Sequence, residues 1–472
     1  MRSRAVRICV ALSCAALVGA AGCVKDTPKD PKPSPSRQDS YKVQQQVAKD
    51  MQHRRAMALL DGDEKAWLAD VDPAERQTVD GERMRFTNLR QLGLTSFDLI
   101  SESVGIIGNG LPPGNPSPGA PVRKYEGFAK AVLQFSADVA LTTASYRYRY
   151  TWDGKKFTIV EALPVRNVGD MAKYAKAMSG SESVMLDSPW DYLPLTFAKA
   201  GPVTIAAPQE SPWNPADFVA AAQKANDLVR GLWGGVPASR GFLVFLADTK
   251  QAQEWFGQKA DMSGSLGYAH FAAIATQDGT IKFIKPELGQ PPKESRAGAR
   301  IVVNMEQVKT PDAAYNVLAH EMTHAIGLHL MPRGLYVPDA AHKGSPLDTP
   351  FWVIEGFAAW VDSLTTPDGV QQTLNYVRSG WSKYHQSGDP GFPTNDAFFV
   401  EPAVHFNYEI GASFFAAVDR VAGRAKVVTA YVGLIQQSTL VANSRTLIDP
   451  VLAKLGIDAK KVWTTWHSMV GH

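Results

Sequence analysis

The sequence predicts an α+β protein built from more than one domain, and three observations predict it. The chain has 472 residues, more than one hydrophobic core ordinarily serves, so two or three domains are expected. After an opening pair of helices, strand-like runs fall between residues 129 and 305, and helical periodicity dominates from residue 311 onward. Strands first and helices after is the α+β order. The composition, 45% hydrophobic and 20% charged, is that of a folded globular chain. A net charge of +3 is too small to argue for nucleic acid as a partner.

Residues 1–23 read as a targeting segment. Arg2, Arg4 and Arg7 form a positive start, and residues 8–21 form an apolar run too short to span a bilayer. "VGAAGC" then leads to Cys23 and resembles a bacterial lipobox, in which the cysteine is lipidated and becomes the mature N-terminus. Ala20 stands where a leucine is usual, and ordinary secretory cleavage near Ala20 or Ala21 is the alternative. Cys9, Cys14 and Cys23 are the cysteines of the chain, so Cys23 has no disulfide partner in a mature protein. Residues 24–40 are Pro, Lys, Asp and Ser with almost nothing apolar, and are expected to form a disordered tether. The expected location is extracytoplasmic, at the cell membrane through a lipid anchor, or secreted if ordinary cleavage applies.

Residues 41–165 are expected to form a small α+β domain. "VQQQVAKDMQHRRAMALL" has helical spacing and ends at "DGD", and "EKAWLADV" is a second helix stopped by Asp72-Pro73. "NGLPPGNPSPGAPVR" is a turn-rich loop. "AKAVLQFSADVAL" and "SYRYRYTW" read as strands, and Asp153-Gly154 turns the chain into "KKFTIVEAL". The Tyr-Arg alternation could stack on nucleic acid, but a half-exposed strand of period two explains it more simply. A helix pair followed by a curved antiparallel sheet resembles the nuclear-transport-factor-like or cystatin-like cone folds, a likeness that carries no function.

Residues 166–210 are expected to connect, with "SPWDYLPLTF" and "GPVTIAAP" as strands. Residues 211–472 form the second domain. "NPADFVAAAQKANDLVRGLWGG" is an amphipathic helix, and "RGFLVFLAD", "GYAHFAAIAT", "GTIKFI" and "ARIVVNM" are strands. Helices are expected over 311–326, 350–364, 367–379 and 407–422.

The helix beginning at Thr310-Pro311 carries the chemistry. Thr310 is placed to cap it, Pro311 suits its first turn, and Gly327 its end. His320 and His324 are four apart and leave one helical face, so both imidazoles can grip one ion. Glu321 lies about 100° around the helix and flanks that ion, where it can act as general base. Chance occurrence of such a pentad is the alternative.

A third ligand is needed. His329 stands one residue short of the histidine in H-E-x-x-H-x-x-G-x-x-H, because residue 330 is Leu, and beyond Met331 the next methionine is Met469. "TPFWVIEGFAAWVDSL" supplies a better candidate in Glu355, with Gly356 and Ala358 small enough for close packing against the first helix. Asp362, two turns along, could accept the free ring N–H of a ligand histidine. A buried helix whose glutamate pairs with an arginine is the alternative for Glu355.

H-E-x-x-H followed by W-x-x-E-G-x-A is similar to the gluzincin zinc peptidases, the clan of thermolysin and the alanyl-aminopeptidase family, over roughly residues 215–435. The resemblance implies a peptidase domain with a small mixed sheet and a helical C-terminal half. It implies one zinc ion per chain on His320, His324 and Glu355, with Glu321 activating water. Asp362 matches the acidic residue that follows the ligand glutamate by seven. "HFNYEIGASFF" is similar to the Y-x-K-G-A segment, which gives Tyr408 the oxyanion role, although Ile410 replaces the lysine; His405 takes that role if the site is closer to thermolysin's. Residues 325–354 separate the ligand motifs by more than in these families, so "LHLMPRGLYVPDAAHKGSPLD" is expected to be a surface insertion. G-x-M-E-N is missing from its place, so aminopeptidase specificity is not implied. The expected partners are a peptide or protein substrate and a membrane, not nucleic acid. The other class of reading is a non-catalytic surface lipoprotein that uses a peptidase-like fold as a binding scaffold.

Overall fold

The computed structural model describes residues 37–106, 123–165, 188–234, 240–256, 264–280, 296–327, 350–386, 388, 390–436 and 444–471. The leader, Cys23, most of the expected tether, His329 and the insertion at 328–348 lie outside these residues, as do the last residues of "GTIKFI". Helix already begins at Arg37, inside the stretch expected as tether.

The first unit comprises α1 (Arg37–Asp61), α2 (Glu64–Leu68) and α3 (Arg76–Gln91), then β1 (Leu94–Ile106), β2 (Arg123–Phe135), β3 (Thr142–Trp152) and β4 (Phe157–Pro164). The strands form one antiparallel sheet in sequence order. Two of these elements, α3 and β1, have no counterpart in the sequence reading. The physical reason is clear for α3, whose inner face buries Glu82, Arg85 and Asn88 beside Phe86 and Leu89, so no apolar stripe marks it.

Strand β3 alternates as its sequence does. Tyr146, Tyr148 and Tyr150 are buried, while Arg149 turns outward to Glu126 and Glu161, and Arg147 to Glu161. The inward tyrosines face a buried polar network. Arg55 stacks 4.2 Å over Trp67 and pairs with Glu82, Arg85 pairs with Glu82 and Asp191, and Gln52 donates to the Tyr150 hydroxyl at 3.0 Å. Each buried charge has its opposite, the condition under which such burial is tolerated.

The second sheet is mixed. It contains β5 (Leu195–Ala200), β6 (Val203–Pro208), β7 (Phe242–Ala247), β8 (Gly267–Ala273) and β9 (Arg296–Asn304), in the order β5-β6-β7-β9-β8. The connecting stretch, expected to hold two strands, supplies β5 and β6 of this sheet. β6, β7 and β9 run parallel, and β5 and β8 are antiparallel edges. Helix α4 (Val219–Trp233) precedes β7, and α5 (Thr249–Phe256) follows it.

Helices make up the rest: α6 (Pro311–Gly327), α7 (Phe351–Ser363), α8 (Gly369–Tyr384), α9 (Asn395–Phe398), α10 (Val404–Ala422), α11 (Arg424–Gln436), α12 (Arg445–Lys454) and α13 (Ala459–Val470). The chain is thus mixed α and β, with two small sheets and a helical C-terminal half.

The central strands β6, β7 and β9 are buried along almost their whole length because both faces of their sheet are covered. Ile205, Val244, Leu246, Ile301 and Val303 belong to the core under the helices. Ala206, Leu243, Phe245 and Val302 belong to the core shared with the first unit. Trp190 links the two across that boundary, 5.1 Å from Phe135 and 6.5 Å from Phe245. A buried bidentate pair adds to it, with Arg300 donating to Asp138 at 2.6 and 2.9 Å.

Candidate metal centre

Helix α6 starts as its sequence suggests. The Thr310 hydroxyl accepts from the Ala313 N–H at 3.2 Å, and Asp312 occupies the first turn. One helical turn apart on the buried side, His320 and His324 bring their rings to 4.8 Å at 77°.

Helix α7 delivers the third group. Its first N–H, on Phe351, donates to the Asn395 side chain at 2.8 Å, and Thr365 beyond its end donates to Asn316 of α6 at 2.8 Å. Glu355 is thereby held opposite the two histidines. The Nε2 atoms of His320 and His324 are 3.1 Å apart, and Oε2 of Glu355 is 3.4 Å from the first and 3.1 Å from the second. Donors at about 2.0–2.1 Å from a tetrahedral ion lie roughly 3.3–3.4 Å from one another. Two imidazole nitrogens and a carboxylate oxygen on such a triangle could hold one metal ion, and this is the group of possible metal ligands among the described residues.

Charge reinforces the geometry. Burial alone would raise the Glu355 carboxyl, but the His324 and His320 imidazoles overcome it and hold the group well below the usual range. Glu321 behaves oppositely. Burial pushes its carboxyl up to about 8, opposed by His320, helped by Glu355 and opposed again by the Ala269 N–H that donates to it. Ala269 lies on β8, a sheet edge. Gly267, two residues earlier, leaves room for this approach: a Cβ there would meet Val317 Cγ1 at 2.7 Å and Glu321 Cγ at 3.3 Å.

Helix α10 closes the other side. Gly356 of α7 and Gly411 of α10 pack against each other, and a Cβ on Gly356 would stand 2.5 Å from the Gly411 Cα. The expectation that Gly356 serves packing against the first histidine helix is corrected here, because its missing side chain faces α10 instead. This contact sets Tyr408 nearly one turn before Gly411, with its ring 6.1 Å from the His320 ring. Phe398 at 5.1 Å and Phe399 at 6.4 Å fix that ring from the loop side.

His405 is largely exposed, 3.9 Å from Glu409 and with its ring 4.6 Å from Tyr376. Asp362 is half-buried. Burial holds its carboxyl above the ordinary range, against the pull of His320 and His405. The edge N–H of Ala269 and the phenol of Tyr431 belong to the same region and carry no motif that would announce them in the sequence.

No family model matches the chain, and no curated protein matches it. Among solved structures it is similar to the intermembrane space region of chloroplast protein ARC6, at 14% identity over 26% of this chain and 95% of that one, with a TM-score of 0.18. That likeness is too slight to carry an argument.

Proposed function

We propose that this protein is a zinc metallopeptidase of the gluzincin type, with His320, His324 and Glu355 as ligands and Glu321 as general base. The observation that carries this reading is the triangle of Nε2, Nε2 and Oε2 atoms with a buried carboxyl beside it. His320, His324 and Glu355 would hold a zinc ion, which would supply Lewis-acid chemistry toward a carbonyl oxygen and a water molecule. Glu321 takes the proton of the attacking water on a carboxylate oxygen and passes it to the leaving amine. Its position is fixed by the Ala269 N–H.

The substrate class follows from the edge. A peptide laid along β8 as an added strand uses main-chain hydrogen bonds, and Glu321 already reaches that edge. Tyr408 is the better oxyanion donor of the two candidates, because its ring stands beside a ligand ring. Lipidation at Cys23 would hold the enzyme at the outer face of the cell membrane. Cys23→Ser is then expected to release it from the membrane fraction, and a variant that stays there would count against the anchor.

Metal analysis of the purified protein, paired with cleavage of a peptide library, tests the central claim. The wild type is expected to hold one zinc per chain and to cleave, and Glu321→Ala to keep the zinc and lose cleavage. A metal-free wild type, or equal cleavage by Glu321→Ala, would overturn it.

A further inference from the structure

Ligand histidines ordinarily donate their second ring nitrogen to an acceptor, which fixes tautomer and orientation. Nδ1 of His324 is buried and has no hydrogen-bond partner among the described residues. The Tyr431 hydroxyl is in the same condition, on a side chain that is 0% exposed. So is the indole N–H of Trp233, whose ring meets Tyr431 edge-on at 5.8 Å. Three buried polar atoms in one core region without a partner among the described residues require an explanation, since a buried polar group left unsatisfied is costly.

Their placement supplies one. A Cβ at Gly327 would stand 2.5 Å from the Tyr431 hydroxyl oxygen, so the glycine makes room for the phenol against the end of α6. Position 327 is three residues beyond His324, and Cβ atoms three apart on a helix are only about 5–6 Å from each other. Side chains on a helix lean toward its N-terminus, which brings the site occupied by the phenol over the His324 turn. Stacking on Phe357 at 4.0 Å and 13° locks the tyrosine ring in that place. Burial, and then the negative charge of Glu355, keep the phenol protonated.

We propose that Tyr431 is a positioning residue of the metal centre, joined to Nδ1 of His324 through one buried water that also receives the Trp233 N–H. Such a water makes three hydrogen bonds, the usual number for a buried one. It accepts from Nδ1–H and from the indole, and donates to the phenol oxygen. The histidine is thereby fixed with Nε2 free of hydrogen and turned toward Glu355. This inference rests on the proposed metal reading and adds to it a residue that touches neither ion nor substrate.

Zinc affinity of the full chain, measured by competition with a chelator, tests it. Tyr431→Phe keeps the stacked ring and removes the hydroxyl alone, and it is expected to bind zinc 10- to 100-fold more weakly, the range typical of outer partners. Phe415→Leu disturbs the same ring cluster, 6.3 Å away, and is expected to retain wild-type affinity. Nitrogen-15 spectra of the zinc-loaded wild type are expected to show His324 protonated at Nδ1, with that signal displaced in Tyr431→Phe. A Tyr431→Phe protein with unchanged affinity and a higher Tm would mean the phenol is merely unpaired, and equal losses in both variants would mean a packing effect; either result overturns the inference while leaving the metal site standing. A wild type that binds no zinc would remove the metal reading itself, and the inference with it.

Discussion

Glu321 and Glu355 are buried carboxyls in one site, and their surroundings push them in opposite directions. Two imidazoles keep Glu355 ionised and suited to a ligand's role, whereas burial keeps Glu321 ready to hold a proton. The division follows from which carboxylate the histidines face. Glu355→Ala is therefore expected to lose the metal outright, and His329→Ala to keep it, with metal content per chain as the readout; the reverse pattern would transfer the ligand role. Tyr408→Phe is expected to lower kcat by roughly 10²–10³-fold with KM and zinc content near wild type. A crippled His405→Ala beside an unaffected Tyr408→Phe would move that role to the histidine. The pairing of His320 with His324 was legible in the sequence because helical spacing turns "HEMTH" into a face. Tyr431 was not, since a lone tyrosine in "VVTAYVGLI" reads as core, and only the space left by Gly327 shows what it approaches.

Between helices, the contact that orders the site is made of absent side chains. Gly356 and Gly411 let α7 and α10 approach until a Cβ on Gly411 would lie 2.5 Å from the Trp352 carbonyl oxygen. The small residues were visible in the sequence, but their partner was not, because a glycine states that something comes close without stating what. Gly411→Ala is expected to cost about 1–3 kcal/mol, the scale of overpacking, and to reduce kcat by moving Tyr408; a variant with unchanged Tm and activity would refute that. Strand β8 predicts a pH effect of its own. Burial pushes His270 down to about 3, with Arg300 and Arg296 adding to the shift. The unfolded chain takes up this proton below about pH 6.5 and the folded one does not. Stability is thus full above that pH and falls by about 1.4 kcal/mol per unit as pH drops toward 3. Urea unfolding at pH 7 and pH 5 should show that loss, and His270→Asn should show a smaller one.

At the scale of the molecule, the second sheet has no free face. Its apolar runs announce buried strands, but a sequence of that kind does not say what lies on either side, and nothing in it shows the first unit against that sheet. The structure instead packs it against Leu243, Phe245 and Val302, with Trp190 between and the Arg300–Asp138 pair alongside. Exposing those three apolar side chains would forfeit about 1.5–3 kcal/mol each, a sum on the order of the whole stability of a typical domain. Removing Asp138 would further leave Arg300 charged and unpaired in the interior, a loss of about 3–5 kcal/mol when it is made alone. Residues 188–472 produced without the first unit are therefore expected to be insoluble or to lack cooperative unfolding, even with zinc present. A truncated chain that stays soluble, melts cooperatively and holds its metal would show that the shared core is dispensable, and that the first unit is an appendage to the metal-binding half.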